Sequence, residues 1–168
     1  PLADLLDALR ARGASAAAEH GVQFELRAHG SLPDVVHLDL DRTAACVESL
    51  VRGGLEHLAG DRVRVEVNLE PKASGTGIGP LRFDVVLVAT PLDRDREAEY
   101  FTAFPGAPEP SSALLHWPHA RQLAQQLGGS VQLDSGGPSG SRLALRLEAC
   151  IPEGARLVEP GELRRKAA

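Results

Sequence analysis

The sequence predicts an α/β fold of the α+β kind: a two-layer sandwich, with a mixed, mostly antiparallel sheet covered on one face by three helices. Three observations lead there. Three stretches carry apolar residues at helical spacing, and several others alternate apolar and polar residues as half-buried strands do. Strands follow one another directly in the middle and near the end of the chain, which favours antiparallel pairing. At 168 residues the chain has the size of one ordinary domain. Such a domain buries roughly 70% of the surface of its unfolded chain, so it needs no metal or disulfide to fold.

The elements read in order. "PLADLLDALRARGASAAAEHG" places Leu2, Leu5, Leu6 and Leu9 on one helical face; Gly13 weakens the helix and Gly21 stops it. "VQFELRA" alternates as a strand, and "SLPDVVHL" reads as a turn and a short strand. "DLDRTAACVESLVRGGLEHLAG" is a second helix, capped by Asp39 or Asp41, with an apolar stripe through Ala44, Val47, Leu50, Val51, Leu55 and Leu58. Its internal Gly53-Gly54 pair costs about 1 kcal/mol per glycine relative to alanine. "RVRVEVNLE" and "LRFDVVLVAT" are strands joined by a Gly- and Pro-rich segment, a hairpin pattern. "PLDRDREAEYFTAFPGAPEPSS" reads as a loop with at most a helical turn and an aromatic patch at Tyr100, Phe101 and Phe104. "SALLHWPHARQLAQQLGG" is the third helix, capped by Ser111 or Ser112, with Pro118 bending it or marking its first turn. "SVQLDS" and "SRLALRLEA" close the sheet. The domain is expected over residues 1–150, followed by a polar, loosely held C-terminal tail over residues 151–168.

Composition narrows the function. A net charge of −5 argues against a polyanion-binding surface, so no nucleic acid is expected. No apolar run approaches a membrane span and no signal peptide opens the chain, so no membrane contact is expected of this domain. Cys46 and Cys150 have no partner at metal-ligand spacing and read as reduced, buried side chains of a cytoplasmic protein. A chain that opens on Pro1 reads as a piece of something longer.

"SGTGIGP", Ser74 to Pro80, has the look of a phosphate-binding loop. Such loops work because a helix N-terminus behind them aims free N–H groups at the anion. This one leads into Pro80 and a strand, and it lacks the lysine of a phosphate-binding loop, so it reads as a hairpin loop.

The ordered set of motifs resembles the catalytic, ATP-binding domain of bacterial sensor histidine kinases, in the GHKL ATPase superfamily. The stretch from Leu2 to about Ala149 carries the resemblance. "LPDVVHLDLDRTAACVESLV" is similar to the entry into the family's N-box helix, and "EYFTAF" to its phenylalanine box. "RQLAQQLGGSVQLDSGGPSGSRLALRL" is similar to the helix-strand-strand stretch that closes the family's domain. The resemblance implies ATP with Mg²⁺ as ligand, but its nucleotide boxes depart together. Where the N-box has asparagines, this chain has Ser49 and Gly53. Where the G1 box has its adenine-reading aspartate and first glycine, it has Ala89 and Pro91. Where the glycine-rich G2 box opens the third helix, it has Ser112, Ala113, Leu114, Leu115, His116 and Trp117. Alanine accepts no hydrogen bond from an adenine amino group, and bulky side chains stand where a backbone would approach a triphosphate.

These residues therefore form a degenerate nucleotide cleft, with no catalytic residue, metal or cofactor expected. Trp117 reads as a plug of that cleft, with an exposed anchor for a partner as the other option. His57 reads as a helix C-terminal cap and Glu48 as a solvated or cleft-edge acid. None of the six histidines sits in a phosphoacceptor context. The expectation is a regulatory or protein-interaction module of two-component signalling. Its partners would be a response regulator or another signalling protein, and a helical dimerisation segment preceding Pro1. The alternatives are a divergent, active kinase domain that binds ATP, and a partner-binding domain of an unrelated regulator.

Overall fold

The computed structural model describes residues 1–71, 78–101, 112–135, 140–148 and 151–166. A five-stranded sheet runs in the order β1-β3-β4-β6-β5, built from β1 (Gln23–Ala28), β3 (Arg62–Pro71), β4 (Ile78–Val88), β5 (Ser130–Ser135) and β6 (Gly140–Leu147). Only β1 and β3 pair in parallel; the other neighbours are antiparallel. Helices α1 (Leu2–Glu19), α2 (Leu40–His57) and α4 (Ser112–Gln126) pack on the apolar side of the sheet. The expected hairpin is present: β3 and β4 pair antiparallel out to Pro71 and Ile78. Most of "SGTGIGP" (residues 74–77), the "GGPSG" turn before Gly140, Phe104, Ser111 and Cys150 lie outside the described residues.

Strand alternation builds the core. Val63, Val65 and Val67 on β3 are buried against Phe83, Val85 and Leu87 on β4 and Leu143 and Leu145 on β6. Asp39 caps α2 by accepting a hydrogen bond from Arg42 N at 3.0 Å. α1 runs straight through Gly13, because the missing side chain makes room for the Phe24 ring, whose atoms come within 2.2 Å of where a Cβ would stand. Pro118 lies inside α4, as its seventh residue, so it does not mark the helix start and it removes one i→i−4 hydrogen bond.

The other side of the sheet is a lattice of charges. Arg142 donates to both Glu66 and Asp84, at 2.6 and 2.7 Å. Arg82 donates to Asp84, Glu70 and Asp134, and Arg146 to Glu70 and Asp134. Asp84 on the central strand β4 is only 4% exposed, so this lattice is partly desolvated and each charge depends on its partners.

One expectation holds and one changes. The short strand expected in "SLPDVVHL" is β2 (Leu32–Pro33), which stands outside the five-stranded sheet. The tail is not loosely held: β7 (Leu157–Val158) pairs antiparallel with β2, and α5 (Pro160–Lys166) lies on α1. The physical reason is that Val158 and Leu163 find an apolar seat, at 5% and 3% exposure. Arg156 N donates to Asp34 Oδ1 at 2.9 Å and Ser31 to Glu159 at 2.9 Å. The polar letters of the tail hide these two anchors.

The lattice fixes a pH dependence. Burial raises the Glu66 and Asp134 pKa values, but the hydrogen bonds and charges of Arg142 and Arg82 respectively more than offset it and hold both below the ordinary range. A carboxylate lowered in the folded state stabilises above its unfolded pKa, and that contribution is lost as pH falls through the folded value. Thermal stability should therefore decline on acidification below about pH 4. Arg142→Met should cost about 1–3 kcal/mol in urea unfolding at pH 7, because it strands Glu66 and Asp84. It should also flatten the acid decline; an unchanged midpoint would mean the lattice is idle.

Candidate functional site

The C-terminal half of α2, the N-terminal half of α4 and the segment from Val88 to Phe101 meet at one end of the helical layer. That segment includes a short 3-10 turn (Arg94–Arg96) and α3 (Glu97–Tyr100). α2 and α4 run antiparallel and close together. Cys46 donates its thiol hydrogen to Ala120 O at 3.2 Å, and Trp117 Nε1 donates to Leu50 O at 3.1 Å. Burial pushes the Cys46 thiol up to about 12, which makes it an inert packing group.

Trp117 is the centre of the arrangement. It is 2% exposed, so it is no exposed anchor. Its indole lies in a notch of α2: a Cβ on Gly53 would meet the ring at 2.5 Å. On the next residue, a Cβ on Gly54 would meet Leu87 of β4 at 2.5 Å. The mid-helix glycine pair thus lets the backbone approach a ring on one side and the sheet on the other. His57, the last residue of α2, stacks on the indole with ring centroids 4.5 Å apart and planes 11° apart. Tyr100 meets it edge-on at 5.6 Å, and Phe101 lies 6.0 Å away at 28°. Rings from α2, α3, its following residue and α4 so close the space beside Gly53.

The loop after β4 is equally tied down. Ala89 is exposed and takes a left-handed φ of 55°. Thr90 Oγ1 donates to Val88 O and accepts from Ala59 N, at 3.1 and 3.0 Å. Ser141 Oγ on β6 donates to Thr90 O at 2.6 Å and accepts from Leu92 N at 2.8 Å. Two hydroxyls therefore lock the backbone around Pro91 to β6 and to the α2–β3 connection. Asp93 N then donates to Tyr100 Oη at 3.2 Å, which couples this loop to the aromatic cluster.

The structure thus brings Gly53 and Trp117 into direct contact, with Ser49 buried one turn earlier on α2. Ala89 and Pro91 sit in the adjoining loop. Ser112 and Leu114 lie in the first turn of α4, their side chains outside the described residues. His116 is half-buried; burial first, then the charges of Arg52 and His119, lower its pKa. Glu48 is not simply solvated, since it is paired with Arg52 at 3.1 Å and Arg12 at 3.4 Å. Sequence reasoning missed that His57, Tyr100 and Phe101 converge on Trp117, and that Thr90 and Ser141 hold the loop. The glycine pair was the available signal: two helix-interior glycines cost enough to imply a close approach.

As a seat for ATP and Mg²⁺ these residues fit poorly. Gly53 carries no oxygen ligand, the space beside it is filled by the indole, and Glu48 is committed to two arginines. Among the described residues no group of three or more His, Cys, Asp or Glu side chains gathers as a metal site.

The glycine–tryptophan contact predicts a sign reversal. Gly53→Ala should destabilise the protein by about 1–3 kcal/mol, as overpacking does. In a Trp117→Ala background the same change should be neutral or stabilise by up to about 1 kcal/mol, since only helix propensity remains. Trp117→Ala alone should cost about 3–5 kcal/mol. A double-mutant cycle by urea unfolding measures the coupling; additive effects would mean the ring does not rest on Gly53.

No protein-family model matches the chain, and no curated protein sequence matches it significantly. Solved structures do. ShkA, solved full-length in complex with AMPPNP, superposes with a TM-score of 0.69 at 18% identity over 90% of this chain and 31% of its own, so the chain spans about a third of that protein. A mycobacterial sensor histidine kinase, MprB, gives 0.60 at 15% identity over 90% of this chain and 97% of its own. The nucleotide-free catalytic domain of the histidine kinase ThkA gives 0.61 at 14% identity over 87% and 92%. The element order, the sheet and these superpositions establish that the chain shares the fold of the catalytic domains of histidine kinases.

Proposed function

We propose that this domain is a degenerate histidine-kinase ATP-binding domain that serves two-component signalling as a regulatory or protein-interaction module, without holding nucleotide. The observation that carries the reading is the Trp117 indole seated on Gly53. The resemblance assigns the Gly53 position to an Mg²⁺-binding asparagine and the stretch from Ser112 to Trp117 to a glycine-rich phosphate loop. A ring from the second occupies the space that the first would face. The loop carrying Ala89 and Pro91 supports the same reading: Thr90 and Ser141 hold it by hydrogen bonds, and Ala89 has no side-chain acceptor where the resemblance puts the adenine-reading aspartate. In this role the domain would bind a response regulator or another signalling protein, beside a helical dimerisation segment supplied from outside residues 1–168.

Calorimetric titration with ATP and ADP, with and without Mg²⁺, tests the proposal directly. No binding heat is expected at high protein concentration. Micromolar, Mg²⁺-dependent binding would overturn it in favour of a divergent but active kinase domain. A pull-down with response-regulator receiver domains then tests the partner class.

A further inference from the structure

The five-stranded sheet has two edges, β1 and β5, and they are treated differently. At β1, the space lined by α1, α5 and the strand residues Leu26 and Ala28 amounts to about 20 Å³, room for about one water. At β5 lies an open cavity of about 400 Å³, a volume within the range of ligand sites. Glu97, Ala98 and Phe101 line it from the α3 side, Arg121 and Gln125 from α4, and Val131 from the strand itself.

Hydrogen bonding shows which backbone groups of β5 face this cavity. Val131, Gln132 and Leu133 pair one-to-one with Leu145, Ala144 and Leu143 of β6. In an antiparallel ladder the N–H and C=O groups of successive residues point to opposite sides, so residues two apart share a direction. Leu133 N donates away from β6, to Glu97 Oε1 at 2.8 Å. Val131 therefore turns its N–H and C=O outward too, and no described residue takes that N–H. The Glu97 carboxylate stands where a carbonyl of a further strand would stand, so the edge is filled at Leu133 and open at Val131. Arg121 is exposed and has neither an ion-pair nor a hydrogen-bond partner among the described residues. A free edge donor and an unpaired cation thus line the same cavity.

We propose that the β5 edge is a docking site for an extended segment of a partner protein, which adds as a sixth strand antiparallel to β5 and sets an acidic side chain against Arg121. One residue of that segment decides recognition. Opposite Val131, it exchanges both backbone hydrogen bonds, and its side chain emerges on the same side of the sheet as that of Val131. That side carries the helices, and with them Arg121. A glutamate there satisfies the edge donor and the guanidinium together. Residues two positions away face the side of Ala98 and Phe101, which suits β-branched apolar side chains. At Leu133 the incoming strand takes over the bond now made by Glu97. Main-chain bonds supply the affinity of such a mode, and the contact with Arg121 supplies its specificity. None of the nucleotide-box positions lines the cavity, so the docking site stands or falls separately from the nucleotide reading.

The probe is the capped pentapeptide acetyl-Val-Thr-Glu-Thr-Val-amide, titrated to millimolar concentration into the isotope-labelled 168-residue chain and followed by amide resonances. The expected result is saturable shifts centred on Val131 and Leu133, with the Val131 amide slowed in hydrogen exchange by the peptide. A peptide with lysine in the central place, and one N-methylated at the central glutamate, should not bind. Arg121→Glu should abolish binding of the glutamate peptide and admit the lysine peptide, at an unchanged thermal midpoint because Arg121 is exposed. Absence of shifts along β5 at millimolar peptide would overturn the proposal. So would equal binding of the N-methylated peptide, or an affinity indifferent to Arg121→Glu. Val131 shifts that grow with protein concentration in the absence of peptide would overturn it in favour of pairing between two copies of this chain.

Discussion

One contact organises this end of the helical layer: the Trp117 indole laid against the bare backbone of Gly53, with its N–H on the Leu50 carbonyl. A helix carbonyl normally serves the amide four residues on, so the indole N–H adds a second donor to an acceptor with two lone pairs. That single bond satisfies the only polar atom of a ring that is otherwise buried. It also fixes the distance between α2 and α4, because a ring in van der Waals contact with a backbone leaves no slack. Everything nearby takes its place from this spacing. His57 covers the outer face of the indole, Tyr100 and Phe101 close its sides, and the 93–101 segment is thereby drawn in from the end of β4.

Much of the architecture was legible because the period of the hydrophobic pattern carries it. Val63, Val65 and Val67 alternate in the sequence and line one side of β3; Leu2, Leu5, Leu6 and Leu9 repeat at helical spacing and are buried on α1. The hairpin between β3 and β4 followed from two alternating runs around a glycine-rich segment. What escaped were contacts between residues distant in sequence. Nothing local at Leu157 or Leu163 says that they return to β2 and α1, more than 120 residues back along the chain. Nor does an isolated Thr90 or Ser141 announce that their hydroxyls clamp one loop, since hydroxyls in strands and turns are usually solvated.

The site was half legible for a related reason. The positions Ser49, Gly53, Ala89, Pro91 and Trp117 stand out because they depart from a motif, and a departure says what is missing. It does not say what fills the gap. The glycine pair carried that information in energetic form. An exposed helix would be more stable with alanine at both positions, so glycine there needs a neighbour that alanine would strike. The neighbours turn out to be an indole and a leucine side chain, each within 2.5 Å of the absent Cβ.

Gly53 and Trp117 also constrain each other in a way that separates them from independent losses. Glycine at 53 without the indole would leave a helix weakened by about 1 kcal/mol beside an unfilled notch. The indole with any larger residue at 53 would overpack the α2–α4 seam. Each makes sense only with the other, so the pair behaves as one packing unit. Aromatic rings contributed from separate elements gather around it, and those rings bind the loop after β4 to the two helices. This end of the domain is therefore a point of internal attachment, and loss of any one ring would loosen the contacts of the others.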